Sequence, residues 1–284
     1  MSRIAVLGAG TMGHGIAQVC AMAGHDVALA DATVEFAGRG LERVRANLAE
    51  GVKRGKIEQS AADAHLARIT VADSLEAACG GASIIIEAVP EKPELKRDVL
   101  TRAEAAAPAD AILATNTSSL SIGGMQEWLA RPQQCIGLHF FNPVHINRLL
   151  EVVRGPQTSD AVVDAAMQLA REIGKEAVLV NDSPGFATSR LGVLLGLEAM
   201  RMVEEGVASA ADIDKAMELG YRHPMGPLRL TDLVGLDVRL DIARYLHAEL
   251  GTEQFRPPRI LEQMVAEGKL GKKSGQGFYD WGSE

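Results

Sequence analysis

The opening stretch "RIAVLGAGTMGHGIAQVC" constrains the fold more than any other part of the chain. Gly8, Gly10, Gly13 and Gly15 stand where a helix begins, although a glycine inside a helix costs about 1 kcal/mol relative to alanine. The apolar, β-branched run "RIAVL" before them reads as a buried parallel strand. After them Met12, Ile16, Val19, Cys20 and Ala23 recur at helical spacing, and Gly24 stops the helix. "HDVALAD" reads as a second strand with Asp31 at its end. Strand, Gly-x-Gly-x-x-Gly, helix, strand and acid together make a dinucleotide-binding unit. Gly8 allows the sharp turn, Gly10 bares the backbone for the pyrophosphate, and Gly13 lets helix and strand approach closely. Thr11 and Met12 lie inside the same loop and count with it as cofactor contacts. The helix N-terminus offers N–H groups and a partial positive charge to phosphates. Asp31 is placed to accept the adenosine ribose hydroxyls, and no arginine follows it in "DATVEF", which favours NAD over NADP.

With 284 residues, 47% of them apolar and 23% charged, the chain is long enough for two domains with a core each. A net charge of −8 with scattered lysines and arginines argues against a nucleic-acid partner. No apolar stretch has the length of a membrane span, and "MSRIAVLG" lacks the shape of a signal peptide, so a cytoplasmic protein with no membrane partner is expected. Cys20, Cys79 and Cys135 are far apart in apolar surroundings. They read as packing residues, with neither disulfide nor metal-ligand spacing, and no metal is expected.

"FAGRGLERVRANLAEGVKRGKIEQ" reads as one long helix. Candidate strands follow in "RITVAD", "ASIIIEAVPE", "AILATNTSSL", "QQCIGLHFFNP", "LLEVVRG" and "EAVLVND", with helices from about Lys92 to Ala107 and across "DAAMQLAREIG". This alternation predicts a Rossmann-type, doubly wound, mostly parallel sheet. Beyond "NDSPGF" the pattern turns to helices in "RLGVLLGLEAMRMVEEG", "SAADIDKAMELG", "DLVGLDVRLDIARYLHAEL" and "PRILEQMVAEG", with no strand of any length. Ser183 and Pro184 mark the change, giving a nucleotide-binding domain over 1–182 and a smaller all-helical domain over 183–284 for substrate and subunit contacts. Apolar helices of this kind commonly bury a free face against a partner, so a homodimer or larger homo-oligomer is expected.

The stretches "GAGTMGHGIAQ", "ATNTSSLSI", "IGLHFFNPV", "ELGYRHPMGPLRLTDLVGLD" and "GKKSGQGFYDW" resemble, in order and end to end, the short-chain L-3-hydroxyacyl-CoA dehydrogenases, the bacterial 3-hydroxybutyryl-CoA enzymes above all. The resemblance implies NAD-dependent oxidation of a (3S)-3-hydroxyacyl-CoA to the 3-ketoacyl-CoA, and the reverse, within fatty-acid or butanoate metabolism. It sets His139 and Glu151 as the catalytic dyad and Ser118 at the substrate hydroxyl and nicotinamide. It sets Asn142, Glu91, Lys96 and Lys273 as cofactor contacts, and Arg54 where the family carries a lysine that meets the CoA phosphates. Ser189 stands where the family has an asparagine near the substrate thioester, so serine keeps one donor on a shorter side chain.

Read from the residues alone, His139 ends an apolar strand on the side where open α/β sheets bind ligands. A base that takes a hydroxyl proton suits histidine, whose pKa lies near neutrality; a half-buried histidine bonded to a backbone carbonyl is the plain alternative. Glu151 lies in an apolar run, where a charge is costly unless paired, and an imidazole is a suitable partner; a glutamate on an edge strand facing water is its alternative. Asn142 before a proline reads equally as a turn residue, Glu91 with Lys96 as a solvated pair, Lys273 as a tail lysine, and Arg54 as part of a solvated helix face. Two other functions stay open: a dehydrogenase of a free hydroxy acid such as carnitine or a sugar acid, and a non-catalytic NAD-binding protein.

Overall fold

Six short runs become mutually parallel strands because both faces of the sheet they form are covered. The computed structural model of the chain describes residues 2–282. The strands are β1 (Arg3–Leu7), β2 (Asp26–Ala30), β3 (Ile69–Val71), β4 (Ile84–Glu87), β5 (Ile112–Thr115), β6 (Cys135–Phe140), β7 (Leu149–Arg154) and β8 (Glu176–Asn181). They form one sheet in the order β3-β2-β1-β4-β5-β6-β7-β8. Every neighbouring pair is parallel except β6 and β7, which run antiparallel. The order reverses between β1 and β4, the kind of crevice where such sheets bind nucleotides.

Around the sheet lie α1 (Gly13–Met22), α2 (Val34–Lys53), α3 (Gln59–Leu66), α4 (Leu75–Cys79), α5 (Pro93–Ala106), α6 (Ile122–Gln126) and α7 (Asp160–Glu172). The helix expected to run on through "KRGKIEQ" stops at Lys53: Gly55 adopts φ +66°, a left-handed conformation that ends the helix before α3 begins. Strand residues Ile4, Val6, Leu29, Ile85, Leu113 and Ile136 are fully buried in the core of this unit. Cys20, Cys79 and Cys135 are free and buried, and burial pushes each thiol up to about 12, as suits packing residues.

This unit ends at Ser183, and a second begins at Pro184. The second holds α8 (Thr188–Glu204), α9 (Ala210–Tyr221), α10 (Pro227–Val234), α11 (Leu236–Leu250) and α12 (Arg259–Ala266) around Val193, Met200, Leu240, Leu246 and Leu261. The single helix expected over "DLVGLDVRLDIARYLHAEL" is broken, because Gly235 takes φ +102° between α10 and α11. Isolated bridges join Gly271 to Gln276 and Gln276 to Asp280, a small exception to the all-helical expectation. Asp232 is fully buried and ties this last segment down, accepting the Phe278 and Tyr279 N–H groups and the Trp281 Nε1–H, each at 2.9 Å. None of the described helices is long and apolar enough to cross a membrane.

Candidate active site

The glycine loop follows β1 and is shaped by its missing side chains. A Cβ on Gly13 would lie 1.6 Å from the Gly8 carbonyl oxygen, and one on Gly8 would lie 2.7 Å from the Ala88 carbonyl oxygen at the end of β4. Nothing stands within 4 Å of a Cβ position on Gly10, so its bare backbone faces open space. Thr11 is exposed and Met12 half-buried beside it. No side chain caps the first turn of α1, whereas Thr33, Ser74 and Ser159 cap α2, α4 and α7. Asp31 follows β2, and its carboxylate accepts the Ala9 N–H at 2.6 Å and the Ala32 N–H at 2.7 Å, which pins it against the loop. A cavity of about 440 Å³ runs past Gly8 and Asp31 to Phe36, Leu95 and Val99. Bare loop, uncapped helix, acid and apolar cleft fit the pyrophosphate, ribose and adenine of NAD. Arg39 and Arg43, one turn apart on α2, line a smaller hollow with Gly10 and Asp31. They lie beyond "DATVEF", and the helical period brings both to the same face.

At the far side of the sheet the antiparallel register sets His139 on β6 directly opposite Glu151 on β7. Paired residues share a face of the sheet, and His139 Nδ1 lies 2.7 Å from Glu151 Oε2. Their side chains are 8% and 1% exposed. The Phe141 ring leans on the imidazole at a centroid distance of 4.3 Å. Asn116 Oδ1 accepts the Phe140 N–H at 2.9 Å and so ties the loop after β5 to the end of β6.

A buried polar cluster organises that loop. Lys96 on α5 is 1% exposed, and its Nζ donates to Glu87 Oε1 at 2.8 Å and lies 3.2 Å from Glu91 Oε2. Glu87, fully buried at the end of β4, also accepts from Thr115 Oγ1 at 2.6 Å. Glu91 Oε1 accepts the Thr117 hydroxyl at 2.5 Å and the Ser118 N–H at 3.0 Å. Burial pushes the Glu91 carboxyl up, but the Lys96 ammonium and the Thr117 and Ser118 donors outweigh it and hold it below its usual range. Glu91 and Lys96 are thus paired, but the couple is only partly solvated: the ammonium is buried and shared between fully buried Glu87 and Glu91, whose side chain stays 35% exposed. Glu87 and Thr117 went unnoticed in the sequence; a lone acid ending the run "IIIE" was the available signal.

Asn142, exposed in the connection from β6 to β7, precedes Pro143 through a cis peptide bond. Lys175 anchors this connection by donating to the Val144 and Asn147 carbonyls, a role with no sequence signature. Arg54, exposed after α2, pairs with Glu50 at 2.7 Å. In the second unit, Ser189 is half-buried in the first turn of α8, and Lys273 pairs with Asp237 at 2.5 Å.

Residues 3–183 match the family described as 3-hydroxyacyl-CoA dehydrogenase, NAD binding domain, and residues 185–281 match the C-terminal domain of 3-hydroxyacyl-CoA dehydrogenase. The chain belongs to this family. The dehydrogenase is an oxidoreductase whose cofactor is NAD. It is 43% identical over 281 residues to a probable 3-hydroxybutyryl-CoA dehydrogenase of Bacillus subtilis, covering 99% of this chain and 98% of the relative. The solved (S)-3-hydroxybutyryl-CoA dehydrogenase of Ralstonia eutropha superposes with a TM-score of 0.96 at 37% identity, over 99% of both chains. A 3-hydroxyadipyl-CoA dehydrogenase of Escherichia coli is 38% identical, covering 99% of this chain and 59% of the relative.

Proposed function

We propose that the dehydrogenase interconverts (3S)-3-hydroxybutyryl-CoA and acetoacetyl-CoA, with His139 and Glu151 as its acid/base pair. The observation that carries this reading is the buried 2.7 Å contact between His139 Nδ1 and Glu151 Oε2 on paired strands. The relatives named for 3-hydroxybutyryl-CoA support the short acyl chain.

The glycine loop and Asp31 would hold NAD, which when bound would supply the acceptor for the hydride from C3 of the substrate. Glu151 fixes Nδ1 as the protonated nitrogen, so Nε2 takes the hydroxyl proton. The same carboxylate stabilises the imidazolium that results. In reduction the imidazolium returns this proton to the C3 oxygen. Ser118 holds that oxygen, and Glu91 fixes the loop on which Ser118 stands. Asp31 reads the adenosine ribose, while Glu91 and Asn142 contact the nicotinamide ribose side. Lys96 is buried, so it acts by orienting Glu91. Lys273 is a further cofactor contact, and Arg54 is available to the CoA phosphates. Exposed Leu191, Leu219 and Tyr221 in the second unit support a homodimer.

NADH oxidation with acetoacetyl-CoA, and with free acetoacetate at the same concentration, tests this reading. Fast oxidation with the thioester alone is expected. Oxidation of free acetoacetate at a comparable rate, or of neither compound, contradicts it.

A further inference from the structure

Glu87 is a buried carboxylate to which the reaction above gives no task. It ends β4 with its side chain fully buried. Its register neighbours are Leu7, just before the glycine loop, and Thr115, just before the loop that carries Ser118. Lys96 Nζ donates to both of its oxygens, at 2.8 and 2.9 Å. The Val89 N–H donates to Oε1 at 2.7 Å and the Thr115 hydroxyl to Oε2 at 2.6 Å. Four donor contacts suit the ionised form, which only accepts. Its hydrogen bonds are met, but its charge is not matched. The single ammonium of Lys96 is shared with Glu91, so two carboxylates stand against one cation. Among the described residues no second cation pairs with either of them. The cluster is left with one net negative charge.

The place of that charge in the sheet gives it a use. The strand order reverses between β1 and β4, so the two lie in different halves of the dinucleotide fold. β1 and β2 lead to Asp31 and the adenosine half, while β4 and β5 end in the other half, which takes the nicotinamide. The nicotinamide ring is positive in NAD+ and neutral in NADH. A fixed negative charge beneath it therefore acts on one form and not on the other, and burial keeps counter-ions from screening it. Resting on the reading that sets Glu91 at the nicotinamide ribose, we propose that Glu87 tunes the redox balance of the bound cofactor. Its charge favours the oxidised ring and so makes bound NADH a stronger hydride donor. Glu87 is fully buried, so it acts through its field and not through contact.

The test measures the dissociation constants of NAD+ and NADH separately, by calorimetry and fluorescence titration. Glu87→Gln keeps the shape of the side chain and removes its charge. The ratio of the NAD+ constant to the NADH constant should rise about fivefold to twentyfold, the effect of one poorly screened unit charge across a partly buried site. A tenfold rise is about 30 mV in the two-electron potential of the bound cofactor. Glu87→Asp keeps the charge and should keep the wild-type ratio. Thr115→Val removes a hydrogen bond but no charge, and should keep it too. Glu91→Gln removes the other carboxylate and should move the ratio the same way, by less because that side chain is 35% exposed. It carries the test if Glu87→Gln does not fold. Weaker binding of both forms with an unchanged ratio in the two glutamine variants means that Glu87 serves only the fold, and overturns the proposal. So does a shift in Thr115→Val as large as that in Glu87→Gln. Wild-type constants for both forms in both glutamine variants instead remove the reading that sets the nicotinamide at this strand end, and the proposal with it.

Discussion

Glu151 keeps only 1% of its side chain exposed and sets Oε2 2.7 Å from Nδ1 of His139, its register partner on the antiparallel strand. A carboxylate this deep needs a compensating group, and the imidazole supplies it. Glutamine in its place keeps a hydrogen-bond acceptor and removes the charge that, in the proposed mechanism, steadies the imidazolium. Glu151→Gln should therefore lower kcat for acetoacetyl-CoA reduction by about a hundredfold or more with NADH affinity retained. Stopped-flow absorbance for turnover and fluorescence titration for NADH check both halves.

Gly13→Ala is expected to disrupt the cofactor loop. Its Cβ would fall 1.6 Å from the Gly8 carbonyl oxygen, so backbone must move. NADH affinity should fall by at least about tenfold. Gly10→Ala, whose Cβ meets no protein atom within 4 Å, should fold normally and weaken NADH only through the space it takes from the ligand. A titration showing wild-type affinity in Gly13→Ala would mean the loop is not packed as described.

Asp31 places a carboxylate beside Gly10, and a 2′-phosphate there would be repelled. NADH should be preferred clearly over NADPH. Arg39 and Arg43 line the same hollow, so Asp31→Ser should raise kcat/KM for NADPH by about tenfold or more, with the NADH value reduced. Equal use of both cofactors by the wild type would show that the carboxylate does not read the ribose.

Glu91 titrates below its ordinary value of 4.5 in the folded protein. The native state therefore binds fewer protons than the unfolded state just below that value, and stability rises with pH there. The contribution of Glu91 is complete above about pH 4.5 and is lost as pH falls through the lower folded value. The difference in melting temperature between wild type and Glu91→Gln should shrink on going from pH 7 to below 4.5. A difference that stays constant over that range would show that the carboxylate is not held by Lys96, Thr117 and Ser118.

The glycine loop and the sheet were legible because both are written in contiguous residues: apolar strands, glycines at fixed offsets, an acid at the next strand end. His139 and Glu151 were legible as candidates, since a titratable group in an apolar run needs a reason. That they face each other depends on β6 and β7 running antiparallel, the one reversal in the sheet, which the sequence pattern does not announce. The Glu87–Lys96–Glu91 cluster was hidden because a lysine on α5 reaches back to a strand end and a loop, and "PEKPELK" reads equally well as surface. Gly55 and Gly235 broke helices that hydrophobic period alone carried through, because a positive φ overrides the pattern.

In the proposed reaction His139 moves the proton that accompanies hydride transfer. His139→Ala, mixed with NADH and acetoacetyl-CoA in a single turnover, is the decisive test. NADH should bind as it does to the wild type, while its oxidation slows by about a hundredfold to ten-thousandfold. Oxidation within a few-fold of the wild-type rate would remove the histidine from the chemistry and leave its contact with Glu151 a structural one.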